Sequence, residues 1–311
     1  MKRTLLLIAG LAFLGVKAEA TLLLYDPFDY PAGELLAPTD RTAGQFNAVA
    51  NTNWYYTGTA GANTDPPGIG SGSLSYAAVP APGYAGLIAP TGNSVLFNST
   101  QAGAARIQVV PSQASSGTFF YSGLLKVTGV TGLNTNNGLF FACFNSAVGS
   151  ATSLPTTGTA LMRLRTDPND PNKFNVGVAK TTSTTAGVVQ WYPTGFDLGT
   201  TIFLVAQYEF LSGSTTDDVA RMWVNPDVST FGTGTPPAAD LTSAPSGITD
   251  INLFSILLRN INTVGTPAFQ FDELRVGTTW ADVTPIPEPT AVGLFGLGLF
   301  TLLARRRNRV G

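Results

Sequence analysis

Apolar residues in this 311-residue chain arrive in short runs, each closed by Gly, Asn, Ser or Pro. Residues 104–110 carry Ile107, Val109 and Val110 and stop at Pro111. Residues 118–127 carry Phe119, Phe120, Tyr121, Leu124 and Leu125, and residues 138–145 carry Leu139, Phe140, Phe141 and Phe144. Runs of this length, bounded by turn formers, read as strands. No stretch between residues 21 and 286 keeps a 3.6-residue apolar period for more than two turns, which excludes a helical body. Composition agrees: 34 Gly, 21 Pro and only 12% charged residues suit many short strands joined by turns.

Two pairs of runs read as hairpins. Residues 160–166 alternate Leu161, Arg163 and Arg165 against Met162 and Leu164, so one face is polar. Residues 173–180 alternate Phe174, Val176 and Val178 against smaller or polar neighbours, and an Asp/Asn/Pro-rich connector of six residues joins the two. That acidic connector lacks the EF-hand pattern for calcium. Residues 201–210 are apolar on both faces, which predicts a central strand, and 219–224 returns beside it. Residues 251–258 and 268–276 are expected to form the last pair, and 22–25, 87–89 and 94–97 short strands.

The two ends are different in kind. Lys2 and Arg3 precede an apolar run from Leu5 to Val16 and then Ala18-Glu19-Ala20. This is the pattern of a secretory signal peptide, too short for a span of about 20 residues. At the other end, Pro287-Glu288-Pro289 leads into an apolar stretch at 290–304 and then Arg305, Arg306, Arg307 and Arg309. As a helix that stretch is about 22 Å long, short against a hydrocarbon core of about 30 Å. The arginines hold their end in the cytoplasm, leaving the body outside.

Charge and missing residue types exclude several functions. Between residues 21 and 286 there are ten Lys/Arg and seventeen Asp/Glu, a net charge of −7, which argues against nucleic-acid binding. There is no His, which removes His-based general-base chemistry and His-ligated zinc. The one cysteine, Cys143, sits in an apolar run and reads as a small core hydrophobe.

Four segments together resemble the LamG-like, concanavalin A-like jelly rolls: residues 25–33, with Tyr25, Asp26, Pro27, Phe28 and Gly33; residues 203–210; residues 222–226, with Trp223, Asn225 and Pro226; and residues 271–280, with Asp272, Glu273 and Trp280. The resemblance implies two stacked antiparallel sheets in which the first and last strands pair, bringing Tyr25 near Phe271. The carboxy tail resembles the PEP-CTERM sorting signal, read by exosortase, a membrane protease/transpeptidase. The expected organisation is therefore a signal peptide (1–20, an N-terminal helix removed by signal peptidase of the secretion machinery), a jelly-roll β-sandwich (21–284), and a sorting signal (285–311) whose 290–304 segment is a transmembrane helix. The expected path runs from an inner-membrane-anchored precursor to the cell surface or extracellular matrix of a bacterium.

Chemistry is sparse in the body. Its Glu residues, Glu34, Glu209 and Glu273, do not match the Glu-x-Asp-x-(x)-Glu strand of the lectin-fold glucanases. Asp272 and Glu273 are strand neighbours expected to face opposite ways. Glu209, alone on an apolar strand, reads either as a functional acid or as the partner of an Arg. Asp26, Asp29 and Asp272 could cluster if the end strands pair, a donor set calcium takes, with turn and cap roles as the plainer reading. The aromatic candidates for stacking on extracellular polysaccharide are Trp54, Tyr56 and Trp191, with core packing as the plainer reading. No catalytic residue, metal ligand or cofactor is assigned, and calcium is left open. The body is expected to be a non-catalytic, carbohydrate-binding or structural module, with a polysaccharide hydrolase or lyase as the alternative. Replacing Pro287-Glu288-Pro289 by three alanines is expected to hold the precursor in the membrane fraction, read by immunoblot of membrane and secreted fractions; an unchanged secreted amount would remove the processing role.

Overall fold

The computed structural model describes residues 22–58, 66–76, 86–98, 103–155, 157–182, 188–245, 247–260 and 268–287. The expected signal peptide, the 290–304 segment, Glu288, Pro289 and the terminal arginines lie outside these residues. Among the described residues no helix is long and apolar enough to cross a membrane.

The body is an all-β sandwich of two eight-stranded antiparallel sheets. The first sheet runs, in spatial order, Leu241–Ser243, Val219–Val224, Thr201–Glu209, Thr118–Gly129, Ala268–Gly277, Ser94–Phe97 and Gly68–Gly70, with Leu22–Asp26 also paired to Ala268–Gly277. The second runs Val189–Trp191, Lys173–Thr181, Thr159–Thr166, Leu139–Asn145, Ser255–Arg259, Ala104–Gln108 and Tyr55–Thr57, with Phe196–Asp197 also on Lys173–Thr181.

Alternation along each strand builds the core between the sheets. Tyr121, Leu125, Phe269 and Phe271 from the first sheet meet Phe141, Phe144, Met162, Val176 and Ile256 from the second. Phe269 stacks on Phe97 at 4.4 Å between ring centroids, and Phe141 meets Phe269 and Phe271 edge-on at 5.5 and 5.6 Å. Gly123 makes room for this: a Cβ there would lie 2.2 Å from the Phe271 ring.

The Thr201–Glu209 strand is central, as its two apolar faces require. Leu204, Ala206 and Tyr208 enter the inter-sheet core, while Phe203 and Val205 face out into a second cluster with Phe120, Leu124, Trp223, Phe231 and Trp280. That cluster lies under loops and a single helical turn, Trp280–Val283, capped by Thr279 and Asp282. The predicted hairpins are present, each paired in antiparallel register. The end strands pair as expected, but Tyr25 stands opposite Arg275, not Phe271.

Two expectations fail. Residues 87–89 form no strand. Residues Ser255–Arg259 and Ala268–Gly277 do not pair: the first lies in the second sheet, the second in the first. Neighbouring runs usually pair, but each of these finds flanking partners on both sides in its own sheet. Gly123→Ala is expected to destabilise the body by about 1–3 kcal/mol, the cost of overpacking a filled core, seen as a lower urea midpoint at unchanged m-value.

Candidate functional site

Two places concentrate chemistry. The first is the middle of the Ala268–Gly277 strand. Asp272 pairs with Leu124 and Arg275 with Ser122, so three steps on one strand match two on the other. This is a β-bulge. Glu273 takes up the extra residue at φ +54°, a conformation uncommon for a residue with a Cβ. The expected opposite facing of Asp272 and Glu273 therefore fails: both reach loops on the outer side of the first sheet. Asp272 accepts hydrogen bonds from the Leu74 and Glu273 amides at 2.7 and 2.8 Å. Glu273 accepts from the Thr91 amide at 2.9 Å and from the Tyr25 hydroxyl at 3.0 Å. The Arg275 guanidinium lies over the Tyr25 ring, 3.9 Å from its centroid. A cavity of about 130 Å³ opens here, lined in part by Tyr76, Ile88, Ser122, Phe203, Glu273 and Arg275.

Burial dominates the electrostatics of this group. It pushes the Asp272 carboxyl up to about 8 and raises that of Glu273, and it lowers Arg275. The amide donors and Arg275 oppose those rises only in part. The acids are engaged in holding the loops at residues 74 and 91 to the sheet.

Asp26 does the same work next door and corrects the reading of two aromatics. Its carboxylate accepts from the Phe28 amide at 2.8 Å, the Tyr30 hydroxyl at 2.9 Å and Trp54 Nε1 at 2.8 Å. Trp54 is 0% exposed and Tyr56 1%, so neither offers a face to a sugar. They share a side of their segment, and it is the core side. Asp29 is exposed, while Asp26 and Asp272 accept from amides, a hydroxyl and an indole, the turn-and-cap kind of role that is the plainer reading of these acids. Glu209 forms an ion pair with Arg221.

The second place is the outer face of the second sheet. Trp191 is half-buried at its edge, its ring lying across Gly177 and Gly138, where a Cβ would come within 2.7 and 2.5 Å of it. The Arg165 guanidinium stacks on that ring at 4.2 Å, held by Asn175 Oδ1 at 3.2 Å and the Thr135 carbonyl at 3.1 Å. Along the same row stand Arg163 and then Phe140, with the Arg259 guanidinium over the Phe140 ring at 4.7 Å. Arg106 lies further along this face. Arg163 is pushed down to about 10 by burial and by Arg259 beside it.

Among the described residues these four arginines make no ion pair; the pairs present are Lys173–Asp197, Lys180–Asp250 and Arg221–Glu209. Among the described residues, Arg163 Nη1 and Arg259 Nε are buried with no hydrogen-bond partner. Six of the body's ten Lys/Arg (Arg106, Arg163, Arg165, Lys173, Lys180 and Arg259) lie on strands of this sheet, against one acid, Asp197. In sequence the bases look scattered, because the strands carrying them are spread from residue 104 to 259. Only the alternation at Arg163 and Arg165 hinted at a polar face.

Comparison with known proteins adds one assignment. The PEP-CTERM protein-sorting motif matches residues 285–307. It marks an exported protein made as a membrane-anchored precursor for exosortase processing. No curated protein matches the chain. Among solved structures, an endo-β-1,4-glucuronan lyase from Trichoderma reesei is similar at 13% identity and TM-score 0.39, covering 74% of this chain and 97% of its own. Domain 4 of the arabinanase AbnA from Geobacillus stearothermophilus, in complex with arabinotriose, is similar at 15% identity and TM-score 0.40, covering 85% and 98%. The sandwich stands on the chain's own strand pairing, and TM-scores below 0.5 add nothing to it.

The Asp272 carboxyl sets a pH dependence. With its folded value raised to about 8, the folded state keeps a proton that the unfolded chain loses near pH 4. Stability is fully present below about pH 4 and falls as pH rises towards about 8, at no more than about 1.4 kcal/mol per pH unit. Asp272→Asn is expected to flatten that fall, read from urea midpoints at about pH 5, 7 and 9.

Proposed function

We propose that the exported body is a non-catalytic module that binds extracellular polysaccharide on the outer face of the second sheet. The observation that supports this is the half-buried Trp191 stacked with Arg165, on a face that also carries the half-buried Arg259 over Phe140. Arg106 and Arg163 beside them are buried and donate to backbone carbonyls. With the glycines on one side of the indole and the Arg165 guanidinium stacked on the ring, a sugar meets the wet rim of the indole together with the guanidinium donors. Guanidinium groups present planar forks of donors that suit carboxylate or sulfate groups on a glycan. The sorting motif supports the setting, since an exported protein meets polysaccharide outside the cell. The final location at the cell surface or in the extracellular matrix belongs to this reading.

A polysaccharide-active enzyme is the second reading. The observation favouring it is the bulge, which brings two raised carboxyls to one side of the strand with Arg275 and a cavity. Against it, both acids accept hydrogen bonds from backbone amides, and the chain has no His to serve as base.

The test is binding of the exported protein to acidic and neutral polysaccharides by affinity electrophoresis. Trp191→Ala is expected to weaken binding to the acidic polymer about tenfold, equivalent to about 1.4 kcal/mol, and added salt is expected to weaken it further. Unchanged binding in the variant would remove this face from the reading. Polysaccharide turnover abolished by Glu273→Gln would favour the enzyme instead.

A further inference from the structure

The turn joining Thr201–Glu209 to Val219–Val224 ends in two consecutive acids, Asp217 and Asp218. Asp250 approaches them from the segment that follows Leu241–Ser243. The two segments are tied by backbone: the Asp250 amide donates to the Thr215 carbonyl at 2.9 Å, and the Asp218 amide donates to Asp250 Oδ1 at 3.2 Å. Each of the three acids offers one carboxylate oxygen, and the three oxygens lie within 4.8 Å of one another.

A cluster of acids at a turn is ordinary; the bonding inside this one is not. Asp217 Oδ2 takes the Ser214 amide and Asp218 Oδ1 takes the Leu211 amide. Among the described residues that leaves Asp217 Oδ1 and Asp218 Oδ2 buried without a well-formed hydrogen bond, and Asp218 is only 2% exposed. The Tyr208 hydroxyl lies close enough to the Asp218 carboxyl to lower its proton affinity against the rise that burial imposes. A buried anionic oxygen without a donor is costly. One cation is already present: Lys180 Nζ is 2.6 Å from Asp250 Oδ1 and donates to the Thr216 and Ile248 carbonyls at 2.9 and 3.1 Å. One ammonium against three carboxylates leaves two negative charges.

We propose that Asp217, Asp218 and Asp250 bind a divalent cation of calcium type. Oxygen donors alone suit a hard cation, and the chain has no His, while its one Cys lies elsewhere in a buried strand. Calcium–oxygen distances of about 2.3–2.6 Å let oxygens up to nearly 5 Å apart share one ion, and magnesium at about 2.1 Å reaches less far. The ion clasps the hairpin turn of the first sheet to the segment leading towards Ser255–Arg259 of the second. This site is independent of the polysaccharide reading and uses none of its residues.

The test takes the exported protein after chelator treatment and titrates it with calcium chloride, and separately with magnesium chloride, by calorimetry. Thermal unfolding is followed in parallel. One calcium per chain is expected, with a Kd of about 10⁻⁴–10⁻³ M as in extracellular modules. The midpoint is expected to rise by about 3–5 °C at tenfold excess over Kd. Asp217→Asn keeps the Lys180–Asp250 pair and is expected to weaken calcium at least about tenfold, with the folded circular dichroism spectrum retained. Lys180→Met, which removes the competing positive charge, is expected to tighten it. No calcium heat and an unmoved midpoint at about 10 mM calcium, far above the expected Kd, would overturn the proposal. Calcium binding unchanged in Asp217→Asn would overturn it as well, by placing the ion elsewhere.

Discussion

The outer face of the first sheet must be kept from water, and much of the structure beyond the inter-sheet core answers to that. Phe203, Val205, Phe120 and Trp223 point away from the partner sheet. With nothing over them they would form an exposed apolar patch of the kind soluble proteins avoid. The cover is made of irregular chain, which cannot hold itself down by a hydrogen-bond ladder. Buried side chains do it instead: Asp272 holds Leu74, Glu273 holds Thr91, and Ser122 Oγ donates to the Val283 carbonyl. The helical turn adds Trp280, whose Nε1 donates to the Thr230 carbonyl. Burying these carboxyls raises their proton affinity, and that cost accompanies the covered sheet.

Strand identity was legible in the sequence because it is local. The alternation of Arg163 and Arg165 against Met162 and Leu164 reports a face directly, and the unbroken apolar run at 202–206 reports two buried faces. Partner choice was not local. Ser255–Arg259 and Ala268–Gly277 are consecutive and equally apolar, and nothing in either says that they belong to different sheets. The bulge was hidden for the same reason: Glu273 departs from alternation only because its partner strand is one residue shorter across that interval.

The candidate sites divide in the same way. Trp54 and Tyr56 belong to the densest aromatic cluster in the chain, and density alone does not separate a binding face from a core. Asp26 supplies the deciding contact. Trp191 kept its half-exposed position because Gly177 and Gly138 leave a shelf for the ring. The arginine face and the Asp217–Asp218–Asp250 group each join residues from distant segments, so no spacing rule finds them. The segregation of charge is the larger consequence of the folding: a body with net charge −7 presents one sheet rich in arginine.

The pairing of the end strands carries a consequence for the order of events during export. Leu22–Asp26 and Ala268–Gly277 are neighbours, and the second of these also sits between Thr118–Gly129 and Ser94–Phe97. The first sheet therefore stays open down its middle until almost the whole body has been made. Residue 277 must emerge before strands that were made early can be joined, and the sorting motif begins only a few residues later, at 285. Completion of the sandwich and delivery of the sorting motif are in this way nearly simultaneous, tied by chain connectivity with no separate timing device. A truncated chain ending before residue 268 would carry neither the motif nor the strand that closes the sheet.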